Sequence, residues 1–223
     1  FAVNNDNYIF WGSGNRVSAN VELLAADGTG IMLKSGAEDL SVLQDLTLSL
    51  NKFDLEKIMS VIPYTPSVSG IMNGDFHIIQ TKDAITVSSA VSVDNMSYEH
   101  CPIGNVSTEF VYMPRSDGSH SVDGVLMSEG KEVATISGTY DKNGYIEATL
   151  GMEHLPLQVI NGFVPEQIIG LRGYGDGQLS VRGMISKPYI EGEVYLDSSY
   201  LVSVPYGVEM RFANDPVRIK GSK

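Results

Sequence analysis

Apolar and polar residues alternate along most of this chain. Val17, Ala19, Val21 and Leu23 form one such run, and Leu46, Leu48 and Leu50 form another. Phe76 and Ile78 share a face. So do Ile85, Val87, Val91 and Val93, then Val106, Phe110 and Tyr112. Val122 with Leu126, Ala134 with Ile136, and Ile146, Ala148 and Leu150 continue the pattern. A period of two puts every second side chain on one side of a strand, so these runs predict strands with one dry and one wet face. Turn residues separate them at Asp27-Gly28-Thr29-Gly30, Pro114 to Gly118, Glu129-Gly130-Lys131 and Asp141-Lys142-Asn143-Gly144. The Asn-Gly pair is the strongest hairpin signal, since it suits positive φ at both central positions. Many closely spaced strands with short turns predict an antiparallel meander.

Two stretches change period. Leu55, Ile58, Met59 and Ile62 fall at helical spacing before Pro63, and so do Leu157, Ile160, Phe163 and Val164 before Pro165. The spacing predicts a short amphipathic helix over about 53–62 and another within 155–165. Each precedes glycines and strands in the same order. Leu55, Ile58 and Pro63 match Leu157, Ile160 and Pro165 at an offset of 102; Gly70, Gly74, Phe76, Ile78, Val91, Val93 and Asp94 match Gly173, Gly177, Leu179, Val181, Val194, Leu196 and Asp197 at 103. Pro102 and Gly104 match Pro205 and Gly207 at the same offset. This is a long internal repeat, the mark of a stacked architecture. It divides the chain into leading strands (1–52), a first helix-plus-strands repeat (53–154) and a second (155–223). The stretch Gly173-Tyr174-Gly175-Asp176-Gly177 reads as a turn, as does Gly138-Thr139-Tyr140; Lys187-Pro188 reads as a break and Val204-Pro205-Tyr206-Gly207 as a last turn.

The expected fold is all-β: an elongated antiparallel sheet folded over on itself, with two repeats that each carry a short helix. Phe76, Ile78, Val91 and Val93, with their counterparts Leu179, Val181, Val194 and Leu196, are the candidate lining of its dry face, in register from repeat to repeat. That face must close on itself as a sandwich core or stay open as an apolar groove.

Composition adds little chemistry. In 223 residues, 43% are hydrophobic and 19% charged, enough apolar mass for a sizeable core. The formal net charge of −12 disfavours nucleic acid and anionic membrane surfaces as partners. The single cysteine, Cys101, rules out an intrachain disulfide and reads as a buried thiol. No run of about 18 apolar residues suggests a membrane span. Phe1 and the trailing Gly221-Ser222-Lys223 read as cut ends of a longer protein.

The glycine-rich stretch at 173–177 follows a helical pattern and precedes a strand, the reverse of a dinucleotide fingerprint. Asp94, Asp176 and Asp197 are not spaced as calcium-loop ligands. His77, His100, His120 and His154 are scattered, and Glu99-His100-Cys101 is the only cluster worth naming. Glu191 and Glu193 read as exposed strand residues, and Ser180, Ser198 and Ser199 lack a nucleophile elbow. These residues predict no catalytic site, no metal and no cofactor.

Leu155-Pro156-Leu157, Leu171-Arg172-Gly173, Asp176-Gly177, Pro188, and Gly192 through Leu196 follow one another as in the C-terminal region of the TamB family, translocation and assembly modules of Gram-negative envelopes. The second repeat resembles that region over about 155–219, the first more weakly over 53–112, and 119–150 fits what precedes its helix. The resemblance implies a folded-over, taco-like sheet with an apolar groove, related to AsmA-like bridge lipid carriers. It implies no catalytic residues. It implies phospholipid or outer-membrane protein strands as cargo, a BamA-like outer-membrane barrel as partner of the full-length chain, and a periplasmic location with an inner-membrane anchor. The competing expectation is a closed sandwich, as in a surface adhesin or glycan-binding module.

Overall fold

A computed structural model describes residues 2–3, 5–13, 16–36, 42–63, 67–99, 101–115, 117–161, 170–203, 206–213 and 215–221. Among these residues, fifteen strands form one antiparallel sheet. β1 (Ala2–Val3) and β2 (Tyr8–Trp11) both pair with β3 (Val17–Leu24). β4 (Gly30–Ser35) and β5 (Gln44–Asp54) follow, then β6 (Val68–Gln80), β7 (Ile85–Tyr98), β8 (Cys101–Pro114) and β9 (His120–Ser128). β10 (Lys131–Tyr140), β11 (Tyr145–Pro156), β12 (Gly170–Met184) and β13 (Lys187–Ser203) continue the order. β14 (Val208–Arg211) and β15 (Val217–Lys220) pair in line along β13. From β3 to β13 every strand pairs with the next in sequence, so the sheet is a pure meander. The sheet is open and does not close into a sandwich or barrel.

Among the described residues, two short helices interrupt the meander. α1 (Leu55–Met59) is capped by Asp54, whose carboxylate accepts the Lys57 N–H at 3.3 Å. α2 (Gln158–Asn161) follows β11. α1 is shorter than the spacing predicts, and α2 begins later. Phe53 stays in β5 because its backbone is held opposite Met72, and Leu155 and Pro156 stay in β11 opposite Gly175 and Tyr174. Ile62 is left 47% exposed. The Ile160 side chain and residues 162–169, which include Phe163, Val164 and Pro165, lie outside the described residues.

Backbone irregularities coincide at the offsets read from the sequence. β5 bulges between Leu50 and Phe53, with Lys52 at φ 52; β11 bulges between Met152 and Leu155, with His154 at φ 53. The Lys52 N–H donates to Asn73 Oδ1 at 2.9 Å, and the His154 N–H to Asp176 Oδ1 at 2.6 Å. Gly70 (φ 131) and Gly173 (φ 100) sit at matching bulges in β6 and β12, and Asn95 (φ 51) matches Ser198 (φ 49). The correspondence stops at the third strand. Gly104 lies inside β8, whereas Gly207 sits in the connection before β14. Pro205 lies outside the described residues.

Three further expectations are corrected. Residues 173–177 form strand, not turn: a bulge at Gly173 kinks β12 without ending it. An added Cβ on Gly173 would sit 2.6 Å from Ser198 O and from Ser199 Cα, so glycine there permits a close approach of β13. Gly138-Thr139-Tyr140 also lies within a strand, β10. In the Asp141–Gly144 hairpin only Gly144 has positive φ, +85. Gly144 N–H donates to Asp141 O and Asp141 N–H to Tyr145 O, the bonding of a type I turn with a bulge glycine. The Asp141 carboxylate decides this, accepting the N–H groups of Asn143 (2.8 Å) and Tyr145 (2.9 Å). Residues 25–29 make the same turn, and Arg115, Gly118 and Ser119 repeat its two backbone bonds, while Glu129 (φ 50) and Gly130 (φ 75) form the two-residue turn with both centres positive.

Candidate functional site: an uncovered apolar face

Residues opposite each other in an antiparallel pair project to the same side of the sheet. Following partners strand by strand therefore traces rows across the fold. One row runs Leu23, Ile31, Leu50, Gly74, Val91, Thr108, Leu126, Ala134, Met152, Gly177, Val194, Val217. The next row holds Phe76, Phe110, Ile136 and Leu179, and a third holds Ile78, Tyr112, Ala148 and Val181. None of the three contains a charged residue. Val91 and Val194, Phe76 and Leu179, and Ile78 and Val181 thus lie pairwise in shared rows, several strands apart. Val93, opposite Met72, and Leu196, opposite Gly175, lie on the same side.

The opposite face is polar. His77 Nε2 lies 2.7 Å from Asp45 Oδ1, Arg182 pairs with Glu191 at 3.1 Å, and Arg218 Nε with Glu193 at 2.7 Å. Ser49 bonds Asp75, and Ser137 bonds Asp123. Glu191 and Glu193 are engaged in these exposed pairs, which contribute little to stability. The carboxyls held below their ordinary range all lie at turns or the helix cap. The Thr29 N–H lowers Asp27, the Ser119 hydroxyl lowers Asp117, the Tyr145 N–H lowers Asp141, and the Lys57 ammonium lowers Asp54.

The apolar face is largely uncovered. Among the described residues, the buried hydrophobic ones are Ala19, Leu55, Val93, Cys101, Val133, Ala134 and Leu157, and no large side chain is fully buried. Ile78 is 39% exposed and Ile136 43%, in the middle of apolar rows. The two helices shield one end. Leu55 and Leu157, equivalent in the two repeats, are both buried, and a Cβ added on Gly175 would lie 3.3 Å from the Leu157 side chain.

α2 does more than cover its own strands: it touches both β12 and β8. In a flat sheet these strands would be about 19 Å apart, four spacings of ~4.8 Å, whereas a helix is about 10 Å across. The sheet therefore curls toward its apolar face, and α2 bridges the trough. A cavity of about 230 Å³ remains between α2 and the strands beneath, lined by Ile103, Val106, Leu126, Val133, Leu155 and Val159. It adjoins a wider cleft of about 550 Å³ where His154 stacks on Tyr174 at 3.7 Å. Sequence reasoning does not find the cavity under α2, because β8 and α2 are remote in the chain and meet only through the curl.

Cys101 is buried, and His100 lies outside the described residues. Among the described residues, no three His, Cys, Asp or Glu side chains gather where they could hold a metal ion. No helix among them is long and apolar enough to cross a membrane.

Fold and surface together define a class: a single-sheet β protein, curled, with one charged face and one uncovered apolar face. Comparison with protein-family models, with curated proteins and with solved structures finds no match to this chain.

Proposed function

We propose that this chain is a non-enzymatic segment of a TamB-like envelope protein. Its apolar face shields lipid, or the unfolded strands of an outer-membrane protein, in transit between the inner and outer membranes. One observation carries the reading: uncharged rows run unbroken across the sheet while residues at their centre, Ile78 and Ile136, stay about two-fifths exposed. Contiguous apolar surface of this kind marks a binding face on a soluble protein. A route along rows, not a single pocket, suits cargo that moves. The reading places the full-length protein in the periplasm with a barrel partner in the outer membrane. An open sheet does not favour the closed-sandwich adhesin, whose core would bury these rows.

The test is photocrosslinking from Ile78 and Ile136 in the full-length protein in cells, with native mass spectrometry of the gently purified chain. Phospholipid adducts, or crosslinks to outer-membrane protein precursors, are the expected result. Neither adducts nor crosslinks at either position would overturn it.

A further inference from the structure

β2 departs from the pattern of one apolar and one polar face. Ile9 is opposite Ala19 and Trp11 opposite Val17. Both lie on the apolar side, since Val17 and Ala19 alternate with Val21, which shares a row with Leu33, Leu48 and Phe76. Tyr8, opposite Asn20, and Phe10, opposite Ser18, therefore project to the charged side. All four are between 51% and 69% exposed. A strand with one face in water needs polar residues on that face. β14, at the other end of the sheet, has them: Glu209 and Arg211 project to one side, Val208 and Met210 to the other. β2 instead carries large apolar or aromatic side chains on both sides and no charge.

Among the described residues β2 pairs with β3 alone, so its outer backbone edge is free as well. A strand added there would lie in the plane of the sheet and cover neither face. A lipid headgroup layer that receives the edge covers both faces at once. It also suits these side chains. Tyr and Trp place an apolar ring in such a layer and keep a hydroxyl or an indole N–H in water, while Phe and Ile reach deeper. Unpaired N–H and C=O groups stay hydrated at headgroup depth, whereas the hydrocarbon core would leave them without partners. The strand holds no cation and the chain has a net charge of −12, so the layer it fits is zwitterionic, not anionic.

We propose that β2 docks the edge of the sheet into the interface of a zwitterionic lipid layer, with Ile9 and Trp11 inserted on the apolar side and Tyr8 and Phe10 on the charged side. This goes beyond the shielding role and stands on β2 by itself.

Trp11 is the only tryptophan in the chain, so its emission reports on this strand. Titration of the intact chain with dioleoyl phosphatidylcholine vesicles should shift that emission to the blue. Lipids brominated high on the acyl chain should quench it more than lipids brominated near the chain end. Ile9→Ser and Phe10→Ser, one from each face, should each weaken partitioning about tenfold with the melting temperature unchanged. Met210→Ser, exposed on β14 at the other end of the sheet, should leave partitioning unaltered. Replacing part of the phosphatidylcholine by phosphatidylglycerol should weaken it. Emission that keeps its solvent value in the presence of vesicles overturns the proposal. So does a blue shift that follows protein concentration instead of vesicles, which would identify a second copy as the cover. Loss of partitioning in Ile9→Ser but not in Phe10→Ser would reduce the contact to one face and overturn docking of the edge. Tighter binding to the phosphatidylglycerol-containing vesicles would overturn the zwitterionic assignment. Crosslinking from Ile78 and Ile136 tests the shielding role separately from all of these.

Discussion

Single residues in this fold divide by which side of the sheet they face and by whether a helix covers them. Val93 is 8% exposed, whereas Ile136 lies in an uncharged row at 43%. A carboxylate at Val93 is desolvated; one at Ile136 keeps much of its water. Val93→Asp should therefore cost several kcal/mol, while Ile136→Asp should cost about 1 kcal/mol or less. Thermal melting of the two variants checks this, and equal large losses would mean that the rows are a packed core. Leu157→Ala removes the side chain seated over Gly175 and should cost about 2–3 kcal/mol. Gly173→Ala puts a Cβ against the backbone of β13 at a positive φ, so it should lower the melting temperature although it removes no contact.

At the scale of elements, bulges and turns carry most of the specificity. The bulge N–H of His154 is held by Asp176 and that of Lys52 by Asn73. Asp176→Ala should cost about 1 kcal/mol by leaving that donor to solvent, and Asp176→Asn, which keeps an acceptor, should recover most of it. Urea unfolding of the two variants decides the matter: equal losses would show that the bulge does not depend on the bond.

The turn carboxylates Asp27, Asp117 and Asp141 titrate below their ordinary value because N–H and hydroxyl donors favour the charged form. A folded pKa lower than the unfolded one gives stability that is present above about pH 4 and lost as pH falls through the folded value. Acid unfolding of Asp141→Asn should accordingly lose part of the pH dependence below about pH 4 that the unmodified chain shows. An unchanged acid profile would show that the turn bonds do not contribute. Asn143-Gly144 alone does not set the turn type, since the dipeptide rule ignores the Asp141 carboxylate, which claims the N–H groups of Asn143 and Tyr145.

At the scale of the molecule, the meander and the curl set the properties that matter for cargo. Each strand pairs with its sequence neighbour from β3 to β13, so rows of like residues build up without long-range crossovers. Chain-local pairing of this sort lets the repeat set the row. Residues 103 apart, such as Val91 and Val194, fall in one row because every intervening hairpin preserves the face.

Alternation, the turn residues and the repeat were legible in the sequence because all three are local and the side-chain period of a strand is fixed at two. They determined the all-β class, the antiparallel order and the residues of the apolar rows. Where α1 and α2 begin was not legible, since ladder bonds to β6 and β12 claim Phe53 and Leu155 before the helical pattern can. Nor was the strand character of 173–177, where glycine permits close strand contact as readily as it permits a turn. The tertiary structure alone decided that the sheet stays open and that its curl brings α2 from β12 across to β8. Alternation says which side of a strand is dry, but how far a sheet bends, and what its dry side then meets, depends on the summed twist and bulges of many strands at once.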